Sequence, residues 1–419
     1  MDLPVISLLA LLAVVIAGSF LPVNVGVLAI AAALLVGVPL AGLKMPAIVA
    51  GFPAGLFLTL VGVTLLFSQA RVNGTLDRIS ALAVSHARGR AGVVPVIFFL
   101  LALVFASIGP GNIASTALLA PVAMAAAGRA GVPAFLMAMM VCSGANAGAL
   151  SPFAPTGIIA NGLMGKIGIE GAQWTNYFSL LVSQAFVGFA GYFLLGGTRL
   201  LREGTGTVAL EEGSSGDQPL NWQQKLTLAV IATLIVAVLA FKVDITIGAF
   251  VGAAVLSLAR AADEMEALKS MPWSVVLMVC GVTVLIGVAD KTGGMDLLTS
   301  MLSELSTQET ITGVIALVTG VISVYSSSSG VVLPAFLPTI PGLIEKLGGG
   351  NALAIASSIN VGAHLVDISP LSTLGALCIS NAAPDVDRKR LFNQMLAWGL
   401  SMCVVGAVVC YVFFGLLWK

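Results

Sequence analysis

The sequence predicts an all-α polytopic membrane protein: two inverted repeats of five transmembrane helices plus one re-entrant hairpin each, with broken helices at the midplane. Three observations lead there. The 419 residues are 58% hydrophobic and 9% charged, with mean hydropathy +1.06, so lipid must be the solvent for most of the surface. Apolar runs long enough to cross about 30 Å of hydrocarbon alternate with short polar segments. The order of these runs recurs after a polar linker.

In the first half, spans are expected near 3–20, 24–41 and 47–69. The segment from Arg71 to Arg90 is polar, and Leu76-Asp77-Arg78-Ile79-Ser80-Ala81-Leu82 suits a helix lying at the interface. From 92 to 129 the chain is apolar but broken by Gly109-Pro110-Gly111-Asn112. Two short arms around such a tip read as a re-entrant hairpin, with two full spans as the alternative. A run over 133–164 is interrupted between Ser143 and Pro152, and a plain span follows near 174–196. Residues 197–222, rich in Gly, Ser and Glu, read as a linker.

The second half repeats this order: spans near 223–242, 245–260 and 272–289, an interfacial stretch from Asp290 to Gln308, then a hairpin over 310–346 broken at Ser326-Ser-Ser-Ser-Gly330. An interrupted run over 350–382 and a last span over 391–417 complete it. Sliding by 219 positions lays Pro53 on Pro272, Thr64 on Thr283 and Asp77 on Asp296; sliding by 218 lays Ser151-Pro152 on Ser369-Pro370 and Gly157 on Gly375. The repeats are thus assigned to 1–208 (scaffold spans about 1–69) and 209–419. Five spans per half invert the second repeat. Arg71, Arg78, Arg88 and Arg90 mark the first interfacial segment as cytoplasmic, and Asp290, Asp296, Glu304 and Glu309 mark its partner as external. The expected location is the cell inner membrane, multi-pass, and the first apolar run, which lacks the positive region of a signal peptide, is expected to remain as a span.

Several function classes fall away. Nineteen basic against nineteen acidic residues give no electrostatic case for nucleic acid. The five cysteines lie in apolar runs without CxxC spacing and read as buried thiols. Only His86 and His364 are histidines, and no HExxH, GxSxG or Walker-type motif occurs, so no enzyme is expected. A channel would place its selective ring on an oligomer axis, whereas this chain holds its own pair of breaks.

Non-helical backbone at membrane depth is tolerated only where protein buries it or it lines a cavity. Broken helices offer amides to a carboxylate and free carbonyls to a small cation. The breaks carry Ser107, Asn112, Ser115, Thr116, Ser143, Asn146, Ser151 and Thr156 in the first half. The second half has Ser326 to Ser329, Ser357, Ser358, Asn360, Ser369, Ser372 and Thr373. The reading is a secondary transporter of a small organic anion. His364 and Asp367 have no counterpart in Asn146 and Ala149. As ionisable groups within the span they are proton or gating candidates.

The stretch Gly111-Asn-Ile-Ala-Ser-Thr-Ala-Leu-Leu-Ala-Pro121 resembles the Ser-Asn-Thr hairpin motif of the divalent-anion/sodium symporters, and Ser328-Ser-Gly-Val-Val-Leu-Pro-Ala-Phe-Leu-Pro338 occupies the second motif. The wording Gly144-Ala-Asn-Ala-Gly-Ala-Leu-Ser-Pro-Phe-Ala-Pro-Thr-Gly157 is closer to the MatC-like dicarboxylate (malonate) carriers of the same ion-transporter superfamily. The resemblance implies a cation-coupled dicarboxylate carrier, a homodimer in lipid with a scaffold and an elevator-like transport domain. It implies one cation site at Ser107, Gly111, Asn112 and the break holding Ser143 and Asn146, and another at Ser328, Ser329 and the break after Asn360. Asn112, Ser329, Ser151-Pro152 and Ser369-Pro370 would face the carboxylates, with Ser115, Thr156, Ser372 and Thr373 beside them. The coupling ion is expected to be Na+, or H+ in its place, since the triplets here read Gly-Asn-Ile and Ser-Ser-Gly; no other cofactor is expected. Another anion (citrate, sulfate or an oxyanion), or a role as membrane subunit of a tripartite carrier, is the alternative.

Overall fold

A computed structural model describes residues 2–21, 23–79, 89–203, 207–208 and 219–418. Among the described residues the chain is all-α apart from one two-residue pairing. In order, the first half comprises α1 (Leu3–Phe20), α2 (Val25–Leu35, continued by a π turn Val36–Leu40), α3 (Met45–Val49), α4 (Ala54–Val72), α5 (Val94–Ile108), α6 (Gly111–Ala130), α7 (Ala134–Ala147), α8 (Pro155–Lys166), α9 (Gln173–Leu194) and α10 (Gly197–Glu203). The second comprises α11 (Trp222–Phe241), α12 (Ile245–Leu258), α13 (Glu264–Ser270), α14 (Trp273–Lys291), α15 (Gly294–Glu304), α16 (Ile311–Tyr325), α17 (Leu333–Phe336), α18 (Ile340–Leu347), α19 (Ala352–Leu365), α20 (Thr373–Ser380) and α21 (Arg388–Cys410, continued by a π turn Tyr411–Leu416). A π turn (Ser328–Val332) and a 3₁₀ turn (Leu337–Thr339) flank α17. Among the described residues, seven helical stretches are long and apolar enough to cross a membrane, and seven further apolar helices are shorter.

Helix ends follow local chemistry. Asn24 caps α2 through Gly26 and Val27, Asp244 caps α12, and Asp387 caps α21; Asn221 and Gln224 make a reciprocal capping box on α11. Each cap satisfies amides that the helix leaves open, worth about 1 kcal/mol. Hydroxyls inside the apolar helices bond back to their own turns, as Thr64 does to the Leu60 carbonyl at 2.7 Å and Thr319 to that of Ile315 at 2.7 Å, so these buried donors are satisfied without water.

Three expectations change in detail. The span expected over 47–69 is split, because Pro53 stands at the N-cap of α4 and leaves α3 as a separate short helix. The second half does the same at Pro272, between α13 and α14. The linker over 197–222 begins as α10, and Thr207–Val208 then pairs antiparallel with Gly89–Arg90, Gly89 opposite Val208. The interfacial helix expected over Arg71 to Arg90 continues α4 into helical residues 75–79, while Ser80 to Arg88, with His86, lie outside the described residues.

Packing interleaves the halves. Helix α2 crosses α14, and α4 crosses α12; α5 packs on α7 as α16 packs on α19. At the α2–α14 crossing, a Cβ on Gly26 would lie 2.1 Å from the Leu277 carbonyl oxygen, and one on Gly281 2.2 Å from that of Gly26. Two facing glycines let the backbones touch. A second apolar core joins α5, α6 and α7 (Phe98, Phe99, Met137, Met140) to Leu374, Cys378 and Met395 from the far half.

Replacing Gly26 by Val must force this crossing apart. We expect a destabilisation of about 1–3 kcal/mol, read as a lower Tm of the detergent-solubilised protein; an unchanged Tm would contradict the crossing.

Candidate functional site

The first tip turns on Gly109 (φ 151°) and Gly111 (φ 79°), conformations that L side chains rarely adopt. Asn112 follows in the first turn of α6, buried, and its Nδ2 donates to Asn146 Oδ1 at 2.8 Å. Asn146 Nδ2 in turn donates to the His364 carbonyl at 3.1 Å, and Gln184 Nε2 donates to the same oxygen at 2.9 Å. The tip of the first half is thereby tied through the first broken helix to the second. His364 Nδ1 lies 2.7 Å from the Asn360 carbonyl. A carbonyl can only accept, so Nδ1 carries a proton. Nε2 has no hydrogen-bond partner among the described residues.

At the second tip, Ser327 Oγ accepts from the Gly330 amide. Ser328 Oγ lies 2.6 Å from Asp367 Oδ1 and 2.7 Å from Ser323 Oγ. Ser328 Oγ also lies 3.1 Å from the Ala363 carbonyl, so its one proton is shared between that oxygen and the carboxyl group while Ser323 can donate to it. Ser372 caps α20 and donates to the Asp367 carbonyl.

Two cavities flank the tips. One of ≈ 250 Å³ is lined by Gly18, Asn24, Ser274, Met278, Tyr325, Ser326 to Ser329, His364, Asp367, Ser372 and Thr373. The other, of ≈ 190 Å³, is lined by Thr64, Ser68, Arg71, Gly109 to Gly111, Pro155, Thr156 and Ser270. Asn112, Ile113 and Ser329 line both. Each cavity is bordered by helix starts: those of α6 and α8 at the smaller, those of the Ser328 turn and α20 at the larger. Helix starts carry partial positive charge and open amides.

Of the residues singled out in the sequence, Gly111, Asn112, Thr156, Ser328, Ser329, Ser372, Thr373, His364 and Asp367 line these cavities. Others are engaged within the protein. Ser151 Oγ donates to the Ser107 carbonyl at 2.6 Å, while Ser107 Oγ is shared between the Leu103 carbonyl and the Tyr177 hydroxyl. Ser115 bonds to the Gly111 carbonyl, and Asn360 donates to Asn176 on α9 at 2.7 Å. Ser143, Ser369 and Pro370 are buried, and Pro152 borders a separate groove with Trp174 and Lys242. Asn24, Ser274, Tyr325, Arg71 and Ser270 were not singled out as site residues. Asn24 Nδ2 bonds to the Ser274 hydroxyl at 3.0 Å across the α2–α14 crossing. Asn24 could be found as the cap residue of α2, but Ser274 lies inside α14 and only the crossing of the two helices brings the pair together.

Replacing Asn146 by Ala removes both the acceptor for Asn112 and a donor to the His364 carbonyl. A loss of about 1–3 kcal/mol is expected, visible as a lower Tm; an unchanged Tm would show that the chain of amides does not hold the tip.

Residues 1–149 match the family model described as dicarboxylate carrier protein MatC N-terminus. Two Mycobacterium tuberculosis proteins, uncharacterized transporter MT2759 of strain CDC 1551 and uncharacterized transporter Rv2685 of strain H37Rv, are each 23% identical over 340 residues, covering 74% of this chain and 78% of the relative. Among solved structures, the YdaH transporter of Alcanivorax borkumensis superposes with TM-score 0.59 at 17% identity over 88% of both chains. MtrF of Neisseria gonorrhoeae, from a class of antimetabolite efflux pumps, gives TM-score 0.56 at 15% identity over 88% of this chain and 82% of its own. Helices, family match and shared fold agree on a multi-pass membrane protein with the fold of these transporters, whose first 149 residues match the N-terminal model of the MatC dicarboxylate carriers.

Proposed function

We propose that the protein is a secondary active carrier of a small dicarboxylate, of malonate or C4 type, coupled to cations. The observation that carries this is the meeting of the two tips: Asn112 and Ser329 border both cavities, of which the larger is mainly polar and the smaller mainly apolar. Helix starts border both cavities, so a carboxylate of the substrate meets open amides there. Asp367 supplies the opposite charge on one side, where a coupling cation is held. Bringing a dianion inward against about 100 mV costs about 4.6 kcal/mol, which one or more co-transported cations must offset. Na+ at the tips or H+ on Asp367 and His364 are the two ways of meeting that cost.

The architecture is read as two inverted repeats, supported by the sequence offset and by the crosswise pairing of α2 with α14 and α4 with α12. The hairpins and broken helices would move as one body against the scaffold in an elevator-like cycle within a homodimer; the second apolar core, which joins α5, α6 and α7 to α20, supports this for the first hairpin. Helices α5 and α16, of 15 residues each, reach only about 22 Å, which favours re-entrant arms. Asn24, Arg71 and Ser270 sit at the cavities on the side that the arginine pattern assigns to the cytoplasm, so the conformation is read as inward-facing in the inner membrane.

Proteoliposomes given an inward sodium gradient, and separately a proton gradient, should accumulate labelled malonate or succinate under one drive. Asn112→Ala should lower that uptake about tenfold or more. Absence of accumulation under both drives would remove the substrate assignment, and unchanged uptake by Asn112→Ala would remove the site. Sodium as the sole drive would place coupling at the tips; protons alone would place it on Asp367 and His364.

A further inference from the structure

Taking the anion-carrying role of this site as its basis, we propose that Arg71 is the substrate-capturing residue: its guanidinium holds the carboxylate that the hairpin tip does not, and so selects for molecules with two. Nothing in the sequence motifs points to it, since Arg71 reads there as a marker of membrane orientation.

The two cavities differ in charge. The larger is bordered by Asp367 and, among the described residues, by no lysine or arginine. The smaller is bordered by Arg71 and, among the described residues, by no acidic residue, Asp77 lying with Arg71 on an adjoining cavity. A dianion entering beside a carboxylate meets repulsion that the low-dielectric surroundings do little to screen. Beside Arg71 it meets attraction. The other groups around Arg71 are suited to the same end: the start of α6 at Gly111 and Asn112, the start of α8 at Thr156, and Ser329 from the opposite tip.

Arg71 stands in the last turn of α4, close to the mouth and opposite the tip, and among the described residues it makes no ion pair. Its planar fork can hold a carboxylate through two parallel bonds, which lysine cannot reproduce. In this arrangement one carboxylate caps the start of α6 beside Asn112, and the second lies on Arg71. A monocarboxylate would occupy the first position alone. The asymmetry assigns the anion to the smaller cavity and leaves the larger, with Asp367, to the cation.

The test is the kinetics of Arg71→Gln and Arg71→Lys in proteoliposomes, with labelled malonate or succinate as probe and propionate as a monocarboxylate competitor. Arg71→Gln should raise KM for the dicarboxylate about 10- to 100-fold with a smaller change in kcat, and Arg71→Lys should fall between. Inhibition by propionate should stay the same. A KM unchanged in Arg71→Gln overturns the proposal, as does a defect traced to reversed insertion by an orientation assay. If wild type accumulates no dicarboxylate, thermal shifts with malonate, succinate, citrate and sulfate separate the two ideas. An anion that stabilises wild type but not Arg71→Gln keeps Arg71 and replaces the substrate. Equal stabilisation of both proteins, or none of either, overturns Arg71 as the capturing residue.

Discussion

Backbone that leaves a helix inside a membrane must find partners within the protein, because each unpaired amide or carbonyl costs several kcal/mol in hydrocarbon. Much of this structure answers that constraint. The carbonyl of His364, at the end of α19, accepts from Asn146 and from Gln184; the Asp367 carbonyl accepts from Ser372; the Ser107 carbonyl beside the first tip accepts from Ser151. Side-chain amides and hydroxyls do inside lipid what water does at the ends of soluble helices. They also fix where the tips stand, so the polar residues that repair the backbone are the ones that shape the cavities.

The same repairs bind the halves together. Asn146 and Gln184 belong to the first half, and the carbonyl they satisfy belongs to the second; Asn360 reaches back to Asn176. Glycines at the α2–α14 crossing allow backbone contact where lipid gives no hydrophobic reason for helices to associate. The second apolar core carries the arrangement outward, setting Phe98, Phe99 and Met137 against Cys378 and Met395. Neither half has a complete core alone.

Much of the fold was legible in the sequence because it rests on local rules. Long apolar runs gave the helices, and Gly109-Pro110-Gly111 and the two Ser-Pro pairs gave the interruptions, since proline removes a donor and glycine permits the turn. The late start of α4 is hidden in the sequence because the apolar run continues on both sides of Pro53. The site was legible only in part. Asn112, Ser328 and Ser329 lie on the turns that the motifs mark, but Asn24, Ser274 and Arg71 reach the cavities through helix crossings, which no spacing along the chain reveals. Ser107, Ser151 and Asn360 have the chemistry of ligands, yet their polar groups are engaged within the protein. Composition alone does not separate a group that binds substrate from one that mends the backbone.

The central claim is that the substrate sits between the two tips. The five cysteines Cys142, Cys280, Cys378, Cys403 and Cys410 are all buried, so a cysteine placed at Ser329, which borders both cavities, can be followed by maleimide labelling in proteoliposomes. Saturating malonate or succinate is predicted to slow labelling of Ser329→Cys, and to leave unchanged that of a control cysteine at exposed Leu194. Labelling of Ser329→Cys at the same rate with and without dicarboxylate would contradict the account.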